Sequence, residues 1–316
     1  MSFFIRLFIS LAIGLANLAT QAQPSLQSIE LAKTVPIADV HMHTYRFRGP
    51  AASEYLEEMN KNSVSWGGGV GDYREDVATL LGGRYIPAVG QAEFMKVFFS
   101  DGQSGLVDAS NPIFLSLFKE AEQLMASGQA KGFGELHTDN SSSGPPRIRR
   151  HIRTDNPVMR KFYEIANRHS GFVQIHSQLD EDFVGDVLRL TADYPNTLTI
   201  LSHCLPRARP KDLQALFSQR SNLVCELSAQ GKVQNRLAGL QRPARVFSSE
   251  GIEPQWKVFI EEYQDKIMIG TDACCGWFGS YSELVAELRT NLLPHLEPEV
   301  MEKIAYKNAV RLLNLK

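Results

Sequence analysis

Short runs of β-branched and apolar residues recur along this chain, each followed by a stretch with helical spacing, which is the pattern of parallel β-α units. The runs fall near Ile37 to His43, Ser63 to Val70, Arg84 to Val89, Lys131 to His137, Phe172 to Ser177, Thr199 to His203, Leu223 to Leu227 and Lys266 to Asp272. Helix-like stretches separate them, and two more, Tyr281 to Leu293 and Pro298 to Leu313, close the chain. Asp155 and Asn156 ahead of Pro157 form a good helix start, because a capping side chain and a first-turn proline both suit exposed amides. Eight such units within 316 residues predict a closed (β/α)8 barrel, a TIM barrel, rather than an open sheet. Glycines in WGGGVG and the proline in YIPAVG blur the second and third strands. Nothing reads as an interdomain linker, so residues 23–316 are expected to form a single domain.

Residues 1–22 read differently. Arg6 precedes an apolar run from Leu7 to Leu18 and a small-residue end in LATQA, the order of a secretory signal peptide with cleavage after Ala22. The run is too short for a resident transmembrane helix, which takes roughly 20 apolar residues; a frayed or buried N-terminal helix is the alternative. No later segment is long and apolar enough to cross a membrane, so an exported protein, periplasmic or secreted, is expected. Cleavage removes Arg6 and no acid, taking the formal charge from −2 to −3. That near-neutral balance gives no case for a nucleic-acid partner, and the number of copies in an assembly stays open. Cys204, Cys225, Cys274 and Cys275 lie in or beside apolar runs, leaving a disulfide and buried thiols both open. No C-x-x-C pair suggests a thiolate zinc site.

The first strand ends in ADVHMH. Side chains alternate across a strand, so His41 and His43 share one face, with Val40 and Met42 expected on the other. An H-x-H alone could be two histidines at a solvent-facing strand end. Its company decides otherwise: Glu135 and His137 in GFGELH, His176 in FVQIH, His203 in TILSH and Asp272 in IMIGTD all end apolar runs. Burying several ionisable groups without partners costs several kcal/mol apiece, so a shared cation explains them together. In a barrel these strand ends converge on the mouth that carries the active site.

The ordered set HMH, GEL, QIH, LSH and GTD resembles the amidohydrolase superfamily, and within it the amidohydrolase-related branch (amidohydrolase 2) that includes decarboxylases and lactonases. KIAYKNAVRLLNL resembles the closing helix of that branch, so the resemblance runs from Ile37 to Leu315. It implies metal ligation by His41, His43, His176 and Asp272. It gives Asp272 the water proton to handle, and gives His203 either a second metal or the polarisation of substrate. Glu135 would bridge two metals, bind one, or hydrogen-bond the ligands from outside. One tight ion is the expectation, with a second left open. A divalent cation held there would acidify water and stabilise a developing oxyanion. Nitrogen and oxygen ligands suit zinc first, then manganese or iron.

The substrate is less legible. Arg147, Arg149, Arg150 and Arg153 cluster with His151 after the fourth strand, Arg46 and Arg48 follow the first, and Arg207 lies four residues beyond His203. Arginines at a barrel mouth clamp carboxylate or phosphate through paired hydrogen bonds, so Arg46, Arg149, Arg150 and Arg207, with His137, are the candidate contacts for a small anionic substrate. A solvated basic loop is the plain alternative. Trp66 and Trp277 are candidates to line the pocket or simply to pack. WGGGVG is not a nucleotide fingerprint and is expected to be a tight loop at a strand end. Hydrolysis of a lactone, ester or amide leads the readings, ahead of metal-dependent decarboxylation of a small acid and of a non-catalytic metal-binding barrel.

Overall fold

A computed structural model describes residues 23–47, 49–142, 146–237, 244–274 and 278–316; the leader assigned to residues 1–22, Arg48, Cys275 and Trp277 lie outside the described residues. Strands β1 (Ile37–Thr44), β2 (Val64–Gly71) and β3 (Tyr85–Ile86) pair in parallel. So do β4 (Ala88–Gly90), β5 (Gly132–His137), β6 (Phe172–His176), β7 (Leu198–Leu201) and β8 (Leu223–Glu226). After a two-stranded hairpin of β9 (Phe247–Ser248) and β10 (Gly251–Ile252), β11 (Ile267–Met268) pairs in parallel with β8.

The third predicted strand is thus split at Pro87, which has no N–H to give to a ladder, although its carbonyl still accepts from Lys131 at 2.9 Å. Parallel bridges from Asp39 to Ile269 and from Met42 to Ala273 join the first strand to the segment after β11. The sheet therefore closes on itself as an eight-membered parallel ring with helices between its strands. Among the described residues no helix is long and apolar enough to cross a membrane.

Ala38, Val40, Ile86, Ala88, Phe172, Ile200, Val224 and Met268 pack into one buried cluster with Ala309, Leu313 and Leu315 of the last helix and tail. Residues from strands all round the ring meet only in its interior, so this cluster is the floor of the barrel, and each large apolar member contributes about 1.5–3 kcal/mol by burial. Met42 instead packs in the outer layer against the helices. Strict alternation would have put Val40 with Met42; a register irregularity between Asp39 and Met42 parts them and lifts His41 and His43 just above the floor.

One expectation changes, and one open alternative is decided. WGGGVG is not a loop but lies inside β2, where Gly69 has φ +85° and an added Cβ would sit 2.2 Å from the Val40 carbonyl oxygen. Close approach of neighbouring strands excludes side chains there. Trp66 stacks on Tyr306 and donates its indole N–H to the Lys316 carbonyl at 3.0 Å, so it packs the closing helix rather than the pocket. The predicted helix start holds: Asn156 accepts from the amides of Val158 and Met159 ahead of Pro157–Arg168.

Candidate metal centre

His41, His43, Glu135, His137, His176, His203 and Asp272, delivered by the strand ends, come together above the floor. His41 Nε2 lies 3.5 Å from both Glu135 Oε2 and Asp272 Oδ1. His43 Nε2 lies 3.1 Å from Asp272 Oδ1 and 4.0 Å from Glu135 Oε2. Ligand atoms bound tetrahedrally to one zinc-sized ion at its usual bond lengths stand roughly 3.4 Å apart, which these four match. His41 Nε2 is buried with no hydrogen-bond partner, an arrangement that costs free energy unless something else satisfies the nitrogen. The residues therefore fit a divalent cation.

A second set adjoins the first through Glu135. Its Oε1 is 2.8 Å from His176 Nδ1 and 3.2 Å from His203 Nε2, while Oε2 is 3.2 Å from His137 Nε2. Glu135 thus faces both sets, one oxygen towards each, with His137 beside it.

Burial alone would raise all three central carboxylates, yet the histidines reverse that. His137 and His41 hold Glu135 well below the usual range, His41 and His203 lower Glu226, and His43, His41 and His203 lower Asp272. Burial pushes His137 down to about 4 and lowers His176. It also opposes protonation of His41 and His203, but Glu226 and Glu135 raise His41 well above its ordinary value, and Glu135 with Asp272 raises His203. Three ionised carboxylates in one enclosed space call for positive charge, and a dication supplies it without protonating the ligands. Asp272 is the most open of the three, its side chain 16% exposed against 3% for Glu135 and none for Glu226.

Several contributors were not singled out from sequence. Glu226 ends β8 and accepts from His41 Nδ1 at 2.8 Å; it closes an apolar run as Asp272 does, so the same rule would have found it. Gln91 meets His43 Nδ1 at 3.2 Å and donates to Glu135 at 3.3 Å, and Gln234 donates to Asp272 Oδ2 at 2.8 Å. Both stand on helices, where no strand-end pattern marks them. Cys274 also falls near the centre, its sulfur grouped with ligand atoms of His43 and Asp272 within 4.8 Å. Cys204 and Cys225, whose state was open, form a disulfide.

The basic residues divide. Arg150 is buried, donating to the His137 and Ile148 carbonyls at 3.0 Å each and lying 4.8 Å from the centre of the Phe98 ring. Its guanidinium braces the loop, its nitrogens taken up by the His137 and Ile148 carbonyls and the Met95 sulfur rather than left for the clamp expected of it. Arg46 is tied to the Tyr73 carbonyl and to Glu120, and Arg153 to Asp182 and the buried Asp186. His151 pairs with Asp139 at 3.0 Å. Arg147, Arg149 and Arg207 are exposed.

The family model described as Amidohydrolase (Amidohydro_2) matches residues 94–315. No curated protein gives a significant match. Among solved structures, a TIM-barrel protein from Bordetella bronchiseptica is 17% identical over 82% of this chain and 81% of its own, with a TM-score of 0.46. An amidohydrolase from Burkholderia multivorans with bound zinc is 14% identical over 90% and 100%, with a TM-score of 0.45. A dihydroxybenzoic acid decarboxylase from Polaromonas sp. JS666, with bound manganese and the inhibitor 2-nitroresorcinol, is 12% identical over 89% and 97%, with a TM-score of 0.43. With the family model covering more than half of its length, the chain belongs to the amidohydrolase family.

Proposed function

We propose that this protein is a metal-dependent hydrolase of a small anionic lactone, ester or amide. The observation that carries the reading is Asp272: it joins the ligand set through Oδ1 while remaining the one carboxylate of the centre open to the mouth. His41, His43, Asp272 and Glu135 would hold one divalent ion, zinc before manganese or iron by the chemistry of the donors. Glu135, His176 and His203 would accept a second. A cation so held supplies Lewis-acid charge and acidifies water.

The chain's own groups do the rest. Asp272 takes and returns a proton at its carboxylate, and the Gln234 amide on Oδ2 keeps that group from rotating away. With a single ion bound, His203, its Nδ1 held 2.7 Å from Ser228 Oγ, faces the centre with Nε2 and steadies charge that develops on the substrate. Arg207, exposed beyond His203, is the candidate to meet the substrate's anionic group. The Cys204–Cys225 bond and the signal-like order of residues 1–22 both support work in an oxidising compartment outside the cytoplasm.

The test is Asp272→Asn assayed beside the wild type on an ester, lactone and amide panel, with metal content measured for both. The variant is expected to keep most of its metal and lose about 10²–10⁴-fold in kcat. Equal activity in the two proteins overturns the proton role. Carbon dioxide release without incorporation of solvent oxygen would place the reaction with the lyases instead.

A further inference from the structure

Glu226 is a fully buried carboxylate that contacts two separate parts of the centre. Its Oε1 lies 2.8 Å from His41 Nδ1, accepts the His203 peptide N–H at 2.7 Å and accepts Ser228 Oγ at 3.0 Å; Oε2 accepts the Ser228 peptide N–H at 2.7 Å. His41 and His203 come from strands far apart in the chain, and this side chain reaches both, as does the hydroxyl of its own partner Ser228.

The chemistry of that contact is directional. An ionised carboxylate only accepts, so His41 Nδ1 keeps its proton towards Glu226, and the proton a cation would displace is the one on Nε2, whose lone pair would then face Glu135 and Asp272. Nε2 is the nitrogen found buried without a hydrogen-bond partner. Gly270 clears the space: a Cβ there would stand 2.5 Å from His41 Cβ and 2.9 Å from Glu226 Oε2.

His203 needs holding for a second reason. It opens three consecutive non-glycine residues in the left-handed region, His203 at φ +58°, Cys204 at +44° and Leu205 at +55°. Such a run persists only where its surroundings over-determine it. Glu226 secures the His203 N–H, Gln230 Nε2 and Arg245 Nη2 donate to its carbonyl at 2.8 and 2.7 Å, and the neighbouring Cys204 is bonded to Cys225, the residue before Glu226.

We propose that Glu226 is the positioning residue of the centre, fixing His41 with Nε2 towards the cation and pinning the turn that presents His203. The inference rests on the metal-dependent reading above and goes beyond it in assigning a residue at the end of β8 that binds no ion itself.

Cobalt(II) titrated into metal-free full-length wild type and Glu226→Gln, followed by calorimetry and by visible absorption, tests it. The substitution keeps the side-chain volume but turns an amide donor towards groups that themselves donate. The variant is expected to bind cobalt about 10–100-fold more weakly with a changed absorption envelope, since that envelope reports ligand arrangement. An unchanged affinity and spectrum overturn the inference alone, whereas a wild type that takes up no cobalt overturns the metal reading beneath it. Should Glu226→Gln fail to fold, Glu226→Asp keeps the charge but draws the carboxylate back from His41 Nδ1 and the His203 peptide N–H; a several-fold weaker affinity with a changed spectrum supports the proposal, and wild-type affinity and spectrum overturn it.

Discussion

His43 Nε2 lies 3.1 Å from Asp272 Oδ1, across 229 residues of sequence. The contact ties the end of the first strand to that of the eighth, where the barrel closes, so assembling the ring and assembling the centre are one event. The residues that take part are those ending buried strands, and several consequences can be measured.

Glu135 stands between the two sets of donors, one oxygen towards each. Glu135→Gln removes the charge both would share, so metal content per chain is expected to fall and kcat by at least tenfold. Elemental analysis of the purified variant checks this; wild-type metal content would show that Glu135 acts only from outside the ligand set.

Metal binding should release protons. Burial works against protonating His41 and His203, but their carboxylate neighbours overcome it and raise both above the ordinary histidine value. In the metal-free protein these two therefore keep protons at pH values above about 6.5, and a cation must displace them. Affinity is expected to rise with pH through neutrality and to fall below it. Calorimetry of zinc binding at pH 7 in two buffers of different ionisation enthalpy gives the proton count, and a count of zero contradicts the expectation.

Cys204 and Cys225, 21 residues apart in sequence, close a loop that in the chain-entropy view contributes about 3 kcal/mol. Replacing both with serine is expected to lower the denaturation midpoint by a corresponding amount and to weaken metal binding through the His203 turn. Urea unfolding with and without reductant reads the first effect, and identical midpoints refute it.

Arg150 and Arg207 should part company. Arg150→Ala removes buried hydrogen bonds to the His137 and Ile148 carbonyls and is expected to lower Tm by several degrees, at about 1–3 kcal/mol. Arg207→Ala, at an exposed position, is expected to leave Tm in place and raise KM for an anionic substrate several-fold. Thermal melts and steady-state kinetics on both variants separate the two roles.

The barrel was legible because each buried strand announces itself as an apolar run, and its polar last residue, such as His176 after FVQI, stands out against it. What lay across the ring was not. Glu226 closes LVCE as Asp272 closes its own run, so the strand-end rule reaches it, but its partner His41 shows only in the fold; Gln91 and Gln234 carry no local signal, since their value comes from where helices set them down. The arginine cluster misled at Arg150 because composition gives charge but not direction, and the folded loop turned that guanidinium inwards. Strand alternation placed His41 and His43 correctly on one face, yet missed Val40, because a register irregularity is a property of the paired strands rather than of either sequence.

The most direct measurement is anomalous diffraction at the zinc and manganese absorption edges from crystals of the active, purified protein. The expected result is a peak within bonding distance of His41 Nε2, His43 Nε2 and Asp272 Oδ1. Fully active crystals without a peak among those atoms would contradict the metal centre outright.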